Sequence, residues 1–211
     1  MARHRTTLGL APLVAALGTV GDLEATDELV IDAAEELLAS YGLNRWSVDD
    51  VADRAGIGRT SIYRRFGGRD DLVYAVLARE LRRTVAAIRA ATIACTSLAD
   101  KFAAAVVAGL GAIEPSVTNR LLHSDPNSLL PFLTTEGGPL VKLAGDLLAT
   151  VALDNGARAD RAQLALLGEV AARIGLSFIL TRPTLLPVDD PAAAAAMLRP
   201  ILGPVLASLE A

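Results

Sequence analysis

The run Ser47-Val48-Asp49-Asp50-Val51-Ala52-Asp53-Arg54-Ala55-Gly56-Ile57-Gly58-Arg59-Thr60-Ser61-Ile62-Tyr63-Arg64-Arg65-Phe66-Gly67-Gly68 decides how this chain folds. Ser47 is a natural helix cap, because its hydroxyl can accept from a free N–H of the first turn. Val48, Val51 and Ala52 then recur at helical spacing through Ala55. Gly56-Ile57-Gly58 reads as a tight turn, a second short helix runs from Arg59 to Phe66, and Gly67-Gly68 ends it. Two short helices joined by a glycine turn form either a structural corner or a DNA-binding helix-turn-helix.

The second helix carries the decision. At about 100° per residue, Ile62 and Phe66 share one apolar edge, while Thr60, Ser61 and Arg64 lie opposite, with Tyr63 and Arg65 on the shoulders. Small polar residues and an arginine at the centre suit base edges in a major groove, and the shoulders suit phosphates. The alternative is a solvated charged face on an ordinary surface helix. From Arg54 to Arg69 there are five arginines (54, 59, 64, 65 and 69) and no acid.

Outward from this run, the chain reads as helices throughout. Thr26 is expected to cap a helix with Asp27 and Glu28 in its first turn, striped by Val30, Ala34, Leu37 and Leu38 and stopped at Gly42. After Gly68 a long helix starts with Asp70 and Asp71 and reaches about Ala90. Ser97 opens another, closed before Pro115, and residues 116–138 hold short pieces broken by Pro126 and Pro131. Pro139 suits the first turn of a helix ended at Asn155-Gly156. Asp160 with Gln163 resembles a capping box for a long helix to Thr181, and Asp190-Pro191 starts the last, which Pro200 and Pro204 are expected to bend or segment. No stretch alternates with period two for long enough to make a strand. The expected fold class is all-α.

Composition bounds the function. The chain has 211 residues, 52% hydrophobic, with mean hydropathy +0.41 and net charge −4. That permits a sizeable core, excludes a globally basic nucleic-acid coat protein and argues against intrinsic disorder. One cysteine, Cys95, excludes an internal disulfide and a cysteine-based zinc site, which fits a reducing cytoplasm. The two histidines, His4 and His123, are too few for the usual metal clusters. The longest uncharged run, Thr6 to Gly21, is sixteen residues long, below the length of a membrane span. No nucleophile–base–acid set, phosphate loop or metal spacing is visible, so an enzyme is not expected, and neither a catalytic residue nor a cofactor is assigned.

The sequence Ser47 to Ala52, then Ala55-Gly56-Ile57-Gly58-Arg59-Thr60-Ser61-Ile62-Tyr63-Arg64-Arg65-Phe66, then Arg69-Asp70-Asp71-Leu72, resembles the N-terminal domain of the TetR family of transcriptional repressors. The resemblance covers roughly residues 26–77. Two departures are Gly58 and Gly68, which stand where the family often has a Ser-like or Asn cap; glycine caps with a loss of only tenths of a kcal/mol. The resemblance implies that Arg59, Thr60, Ser61 and Arg64 face the groove, and that Ser47, Tyr63, Arg65 and Arg69 hold phosphates. Arg45 and Arg54 are either further phosphate contacts or solvated surface.

The expected organisation is an arm or extra helix over 1–25, a helix-turn-helix domain over 26–77 whose connecting helix reaches about 90, and a ligand-binding and dimerisation domain over 91–211. For the first 25 residues three readings stand: an arm with Arg3 and Arg5 near the minor groove, a helix packed on the domain, or an overlong start. The resemblance implies homodimers through the last two long helices, an operator in double-stranded DNA, and derepression by an effector. Gly168, Ala171, Ala172 and Gly175 would let another helix approach closely, or are simply core.

Only three aromatics follow residue 90, which argues against a cage for planar cations. Leucine-rich walls suit a small aliphatic or lipid-like effector instead. Candidate pocket residues are Phe102, Val106, Leu110, Asn119, His123, Phe132, Leu147, Arg173 and Phe178. Several have plainer roles: Arg173 can pair with Glu169 at i,i+4, and His123 can be a helix-end side chain. The competing class is an α-helical acyl-binding or interaction protein that does not bind DNA; an acid among residues 59–65 would have favoured it, and none is present.

Overall fold

The computed structural model describes residues 8–19, 24–181, 185–187 and 190–207. Arg3, His4 and Arg5 lie outside them. The described residues form eleven helices and no strand: α1 (Leu10–Thr19), α2 (Ala25–Tyr41), α3 (Val48–Ala55), α4 (Arg59–Phe66), α5 (Arg69–Thr92), α6 (Leu98–Ile113), α7 (Val117–Ser124), α8 (Pro126–Leu133), α9 (Gly138–Asp154), α10 (Arg161–Leu180) and α11 (Pro191–Ala207). The chain forms two compact units. One holds the residues up to Arg82 together with Ser116–Glu136, and the other holds Arg83–Pro115 and the residues from Gly137 on. By packing, therefore, α7 and α8 belong with the N-terminal unit.

In the first unit, α2, α3, α4 and the first half of α5 close over Val30, Ile31, Leu38, Val51, Ile62 and Leu72, all fully buried. Trp46 lies in this core and donates its indole N–H to the Gly42 carbonyl at 3.0 Å, so its one polar atom is satisfied. α1 and the residues just before it belong to the same unit, with Leu13 of α1 and the preceding Leu8 buried. The Gly9 N–H donates to the Tyr74 hydroxyl at 2.9 Å, and the Arg82 guanidinium reaches the Leu17 carbonyl. Residues 10–19 thus form an added helix.

Arg79 on α5 is nearly fully buried and binds three carboxylates of α2: Glu28 at 3.0 Å, Asp32 at 2.7 Å and Glu35 at 2.5 Å. A buried guanidinium is tolerable only with such partners. The next residue, Glu80, faces α7 and accepts from its first N–H groups.

In the second unit, α9 and α10 meet at two glycines. A Cβ built on Gly168 would stand 2.7 Å from the Gly145 carbonyl oxygen, so only glycine allows this approach. Gly168 and Ala171 are buried within the chain by that contact, whereas a Cβ on Gly175 would meet nothing within 4 Å. Phe102, Val106, Ala149, Leu164 and Leu206 complete the core of α6, α9, α10 and α11.

Local capping corrects several expectations. Glu24, not Thr26, caps α2, exchanging hydrogen bonds with Asp27; a carboxylate at this end also gains from the helix dipole. The short pieces part as expected at Pro126, which starts α8, whereas Pro131 sits inside α8 and does not break it. α5 runs two residues beyond Ala90. Asp160 caps α10 by accepting from Ala162 N–H at 2.9 Å. α11 continues through Pro200 and Pro204 as one helix.

Candidate nucleic-acid interface

α4 is short because glycines bound it. Gly58 precedes Arg59, and Gly67 ends the helix with φ 82°, in the region that favours glycine. Gly56 ends α3 in the left-handed conformation at φ 68°, which turns the chain sharply between the two helices. At the start of α3 the Ser47 hydroxyl accepts from Asp50 N–H at 3.3 Å, and Asp50 accepts from Ser47 N–H at 2.8 Å. Ser47 also donates its hydroxyl to that carboxylate at 2.8 Å. Both bonds with Ser47, side chain first and then backbone, hold the Asp50 carboxyl below the usual carboxylate range.

The helix turns one apolar edge inward and the rest outward. Ile62 is fully buried and Phe66 half-buried. Arg59, Thr60, Tyr63, Arg64 and Arg65 are exposed, and Ser61 is half-buried. Arg59 lies 5.3 Å over the Tyr63 ring and pairs with Asp49 of α3 at 2.9 Å. Arg65 pairs with Asp27 at 2.6 Å and Glu24 at 2.9 Å. Arg69 meets Asp70 at 3.2 Å and the Asn44 carbonyl at 3.4 Å. Arg64 forms no ion pair with any described residue. Arg54 pairs with Glu36 at 2.8 Å, and Arg45 donates to the Tyr41 carbonyl at 2.9 Å.

These ion pairs escaped the sequence reading. The acid that holds Arg59 comes from α3, just ahead of the acid-free window, and those that hold Arg65 come from the start of α2, some forty residues away. The exposed Arg59–Asp49 pair is weak, so Arg59 remains available to a stronger anion such as phosphate, while Asp27 holds Arg65 from a largely covered position.

The second unit holds a cavity of about 50 Å³ bounded by α5, α6, α9 and α10. Of the nine pocket candidates, Phe102 lines it, and Val106, Leu110 and Phe178 belong to the surrounding core cluster. Leu147 is half-buried, and Arg173 is exposed and paired with Glu169 at 2.7 Å. Asn119, His123 and Phe132 belong to the first unit, where Phe132 is buried and the exposed His123 ring bonds the Asn119 carbonyl at 2.8 Å. Spacing did not single out Thr92, Lys101, Leu148, Leu164 or Leu167 as cavity wall; only the packing of four helices brings them together.

A helix-turn-helix with an exposed, acid-free second helix of hydroxyls and arginines defines a DNA-binding protein. The comparisons agree. The signature of bacterial regulatory proteins of the tetR family matches residues 30–76, and that of the bacterial tetracyclin repressor C-terminal domain matches residues 84–204. The chain belongs to the TetR family of bacterial transcriptional regulators. It is accordingly a regulatory protein rather than an enzyme.

Among relatives, the HTH-type transcriptional activator FasR of Mycolicibacterium smegmatis is 28% identical over 153 residues, 72% of this chain and 69% of that protein. The HTH-type transcriptional regulator AlkX of Mycobacterium tuberculosis is 28% identical over 160 residues, 73% of this chain and 74% of that protein. The crystal structure of the TetR family repressor AlkX from Dietzia sp., implicated in biodegradation of n-alkanes, superposes with a TM-score of 0.64 at 27% identity, covering 86% of this chain and 97% of that one.

Proposed function

We propose that this chain is a ligand-responsive repressor that binds a palindromic operator as a homodimer and leaves it when a small aliphatic effector binds. The observation that carries the reading is the outward face of α4, where Thr60 and Arg64 are exposed, Ser61 is half-buried, and no acid interrupts residues 54–69. In this reading Arg59, Thr60, Ser61 and Arg64 meet base edges, and Ser47, Tyr63, Arg65 and Arg69 hold phosphates. The DNA-binding domain spans 26–77 and the ligand-binding and dimerisation domain 91–211, less α7 and α8, which pack with the first unit; the protein works in the cytoplasm.

Dimerisation is supported by the apolar residues that α10 and α11 leave exposed: Leu166, Val170, Leu180, Met197 and Ile201. α10 is long and apolar enough to cross a membrane by length and composition alone, yet it carries the Glu169–Arg173 pair and bears Gly168 against α9. An exposed apolar stripe on such a helix suits a second helix of a partner copy. An aliphatic effector is supported by the walls of the cavity, which are almost wholly Leu, Ile, Val, Ala and Phe. Ligand pockets usually measure about 300–1,000 Å³, so binding requires the cavity of about 50 Å³ to open by repacking. The Dietzia relative is a repressor and the Mycolicibacterium relative an activator, so the sign of control belongs in the test.

That test is selection of bound fragments from random duplex DNA, followed by a transcription assay on the selected site. A palindromic consensus, lower transcription with protein and recovery on adding a saturated aliphatic compound are expected. A monomer in sedimentation at micromolar concentration, or transcription that rises with protein alone, would overturn the reading.

A further inference from the structure

We propose that the cavity of the second unit takes an aliphatic carboxylate, anchored by the ammonium of Lys101. The inference rests on the ligand-responsive reading above and names the chemistry of that ligand. Lys101 is one of only two lysines in the chain, and it is 7% exposed. Lysines are rarely buried to this degree unless a carboxylate accompanies them. Here the ammonium donates only to neutral carbonyls, those of Cys95 and, at 2.9 Å, Asn155. Its third N–H has no acceptor among the described residues.

The nearby carboxylates are engaged elsewhere. Asp100, adjacent in sequence, binds the Ser97 hydroxyl at 2.9 Å and Arg199 at 2.5 Å. Asp154, adjacent to Asn155, pairs with Arg89 at 2.8 Å. The two carbonyls that do reach Lys101 lie just past the ends of α5 and α9, where helix dipoles place partial negative charge. They fix the ammonium in position and offset part of its charge. A full negative charge is still missing.

The rest of the wall says what should carry that charge. Thr92 is the other polar side chain lining the cavity, and it is locked: its hydroxyl donates to the Ile88 carbonyl at 2.8 Å and accepts from the Asn155 amide at 2.7 Å. Asn155 is thereby held by Thr92 while its carbonyl holds Lys101, a preorganised polar rim. The remaining lining is apolar, with Phe102, Leu148, Leu164 and Leu167 its largest members besides Ile88 and Leu98. One buried cation beside an aliphatic wall selects an anion with an alkyl tail. It gives no advantage to a neutral alkane and repels an organic cation.

Calorimetric titration of the full-length protein with laurate below its micelle concentration and with dodecan-1-ol below its aqueous solubility limit tests the assignment. Laurate is expected to bind at least about tenfold tighter, the worth of a hydrogen bond to a charged group. Lys101→Met should bring laurate down to the alcohol's affinity and leave the alcohol unchanged, while Ala105→Trp should block both. Equal affinities in the unaltered protein, or a laurate preference that survives Lys101→Met, would overturn the anchor. Should Lys101→Met not fold, the comparison in the unaltered protein still decides. Operator release is measured separately. Equal binding and equal release by both compounds would sink the carboxylate and leave the regulator reading intact. Laurate binding through Lys101 without release by any aliphatic compound would do the reverse.

Discussion

Glu80 on α5 caps α7 through Thr118. Its carboxylate accepts the Thr118 hydroxyl at 2.7 Å and the Thr118 N–H at 3.3 Å, and it also accepts the Val117 N–H. The first N–H groups of a helix have no partner of their own, and Ser116 serves only that of Asn119, at 3.1 Å. A side chain some forty residues earlier therefore completes the cap and ties α7 to the DNA-binding unit.

Glu80→Ala should cost about 1–3 kcal/mol, because it leaves buried N–H groups unpaired, and Thr118→Ala about 1 kcal/mol. Burial pushes the Glu80 carboxyl above the ordinary carboxylate range, with the bonds from Thr118 and Val117 opposing. A raised folded-state pKa gives stability that is full below the unfolded pKa and is lost as pH rises through the folded one. Glu80→Gln removes that dependence. Its stability relative to the unaltered protein should improve from mildly acid to neutral pH, read by urea melts across the range.

Gly168→Ala should destabilise by about 1–3 kcal/mol, because the added methyl meets the Gly145 carbonyl oxygen at 2.7 Å and the Leu148 Cβ at 3.0 Å. Gly175→Ala, on the same helix with open space around it, should be neutral or gain up to about 1 kcal/mol. Paired thermal melts check both. A Gly168→Ala variant as stable as the unaltered protein would mean that α9 and α10 separate freely.

Arg65→Ala should weaken all DNA sequences alike and flatten the salt slope by about one unit, as loss of one phosphate contact does. Arg64→Ala should instead relax one operator position, at a cost of about 1–3 kcal/mol. Asp27→Asn removes a charge from the pair at 2.6 Å while keeping an oxygen for the Glu24 N–H. It should raise non-specific affinity by about fivefold, the upper end of what an ion pair near the surface is worth. Fluorescence anisotropy over a salt series reads all three, and a change of base preference in Arg65→Ala would reverse the assignment.

Ser47→Ala should cost about 1 kcal/mol as loss of a cap. Ser47 holds the Asp50 carboxyl low, so the stability it lends is present above the unfolded pKa and is lost as pH falls through the folded one. In Ser47→Ala the Asp50 titration should move back toward the usual carboxylate range, as carboxyl NMR shifts would show. The stability gap between the variant and the unaltered protein should narrow in acid.

The sequence by itself determined the helix-turn-helix. Its signals are local: Ser47 caps within three residues, Gly56 and Gly67 end helices where they stand, and Ile62 and Phe66 define the buried edge by periodicity alone. It also determined the class of fold, because capping residues and apolar stripes repeat along the whole chain. What lay beyond it were choices made by distant partners. Only packing decided that α7 and α8 join the first unit, that Gly168 opposes Gly145 rather than a second copy, and that Asp27 and Asp49 restrain the arginines of α4. Lys101 is the sharpest case. In sequence it is a charge between Asp100 and Phe102; in the fold it is a buried cation held by two helix ends, because burial is set by what the other helices cover and not by the residue itself.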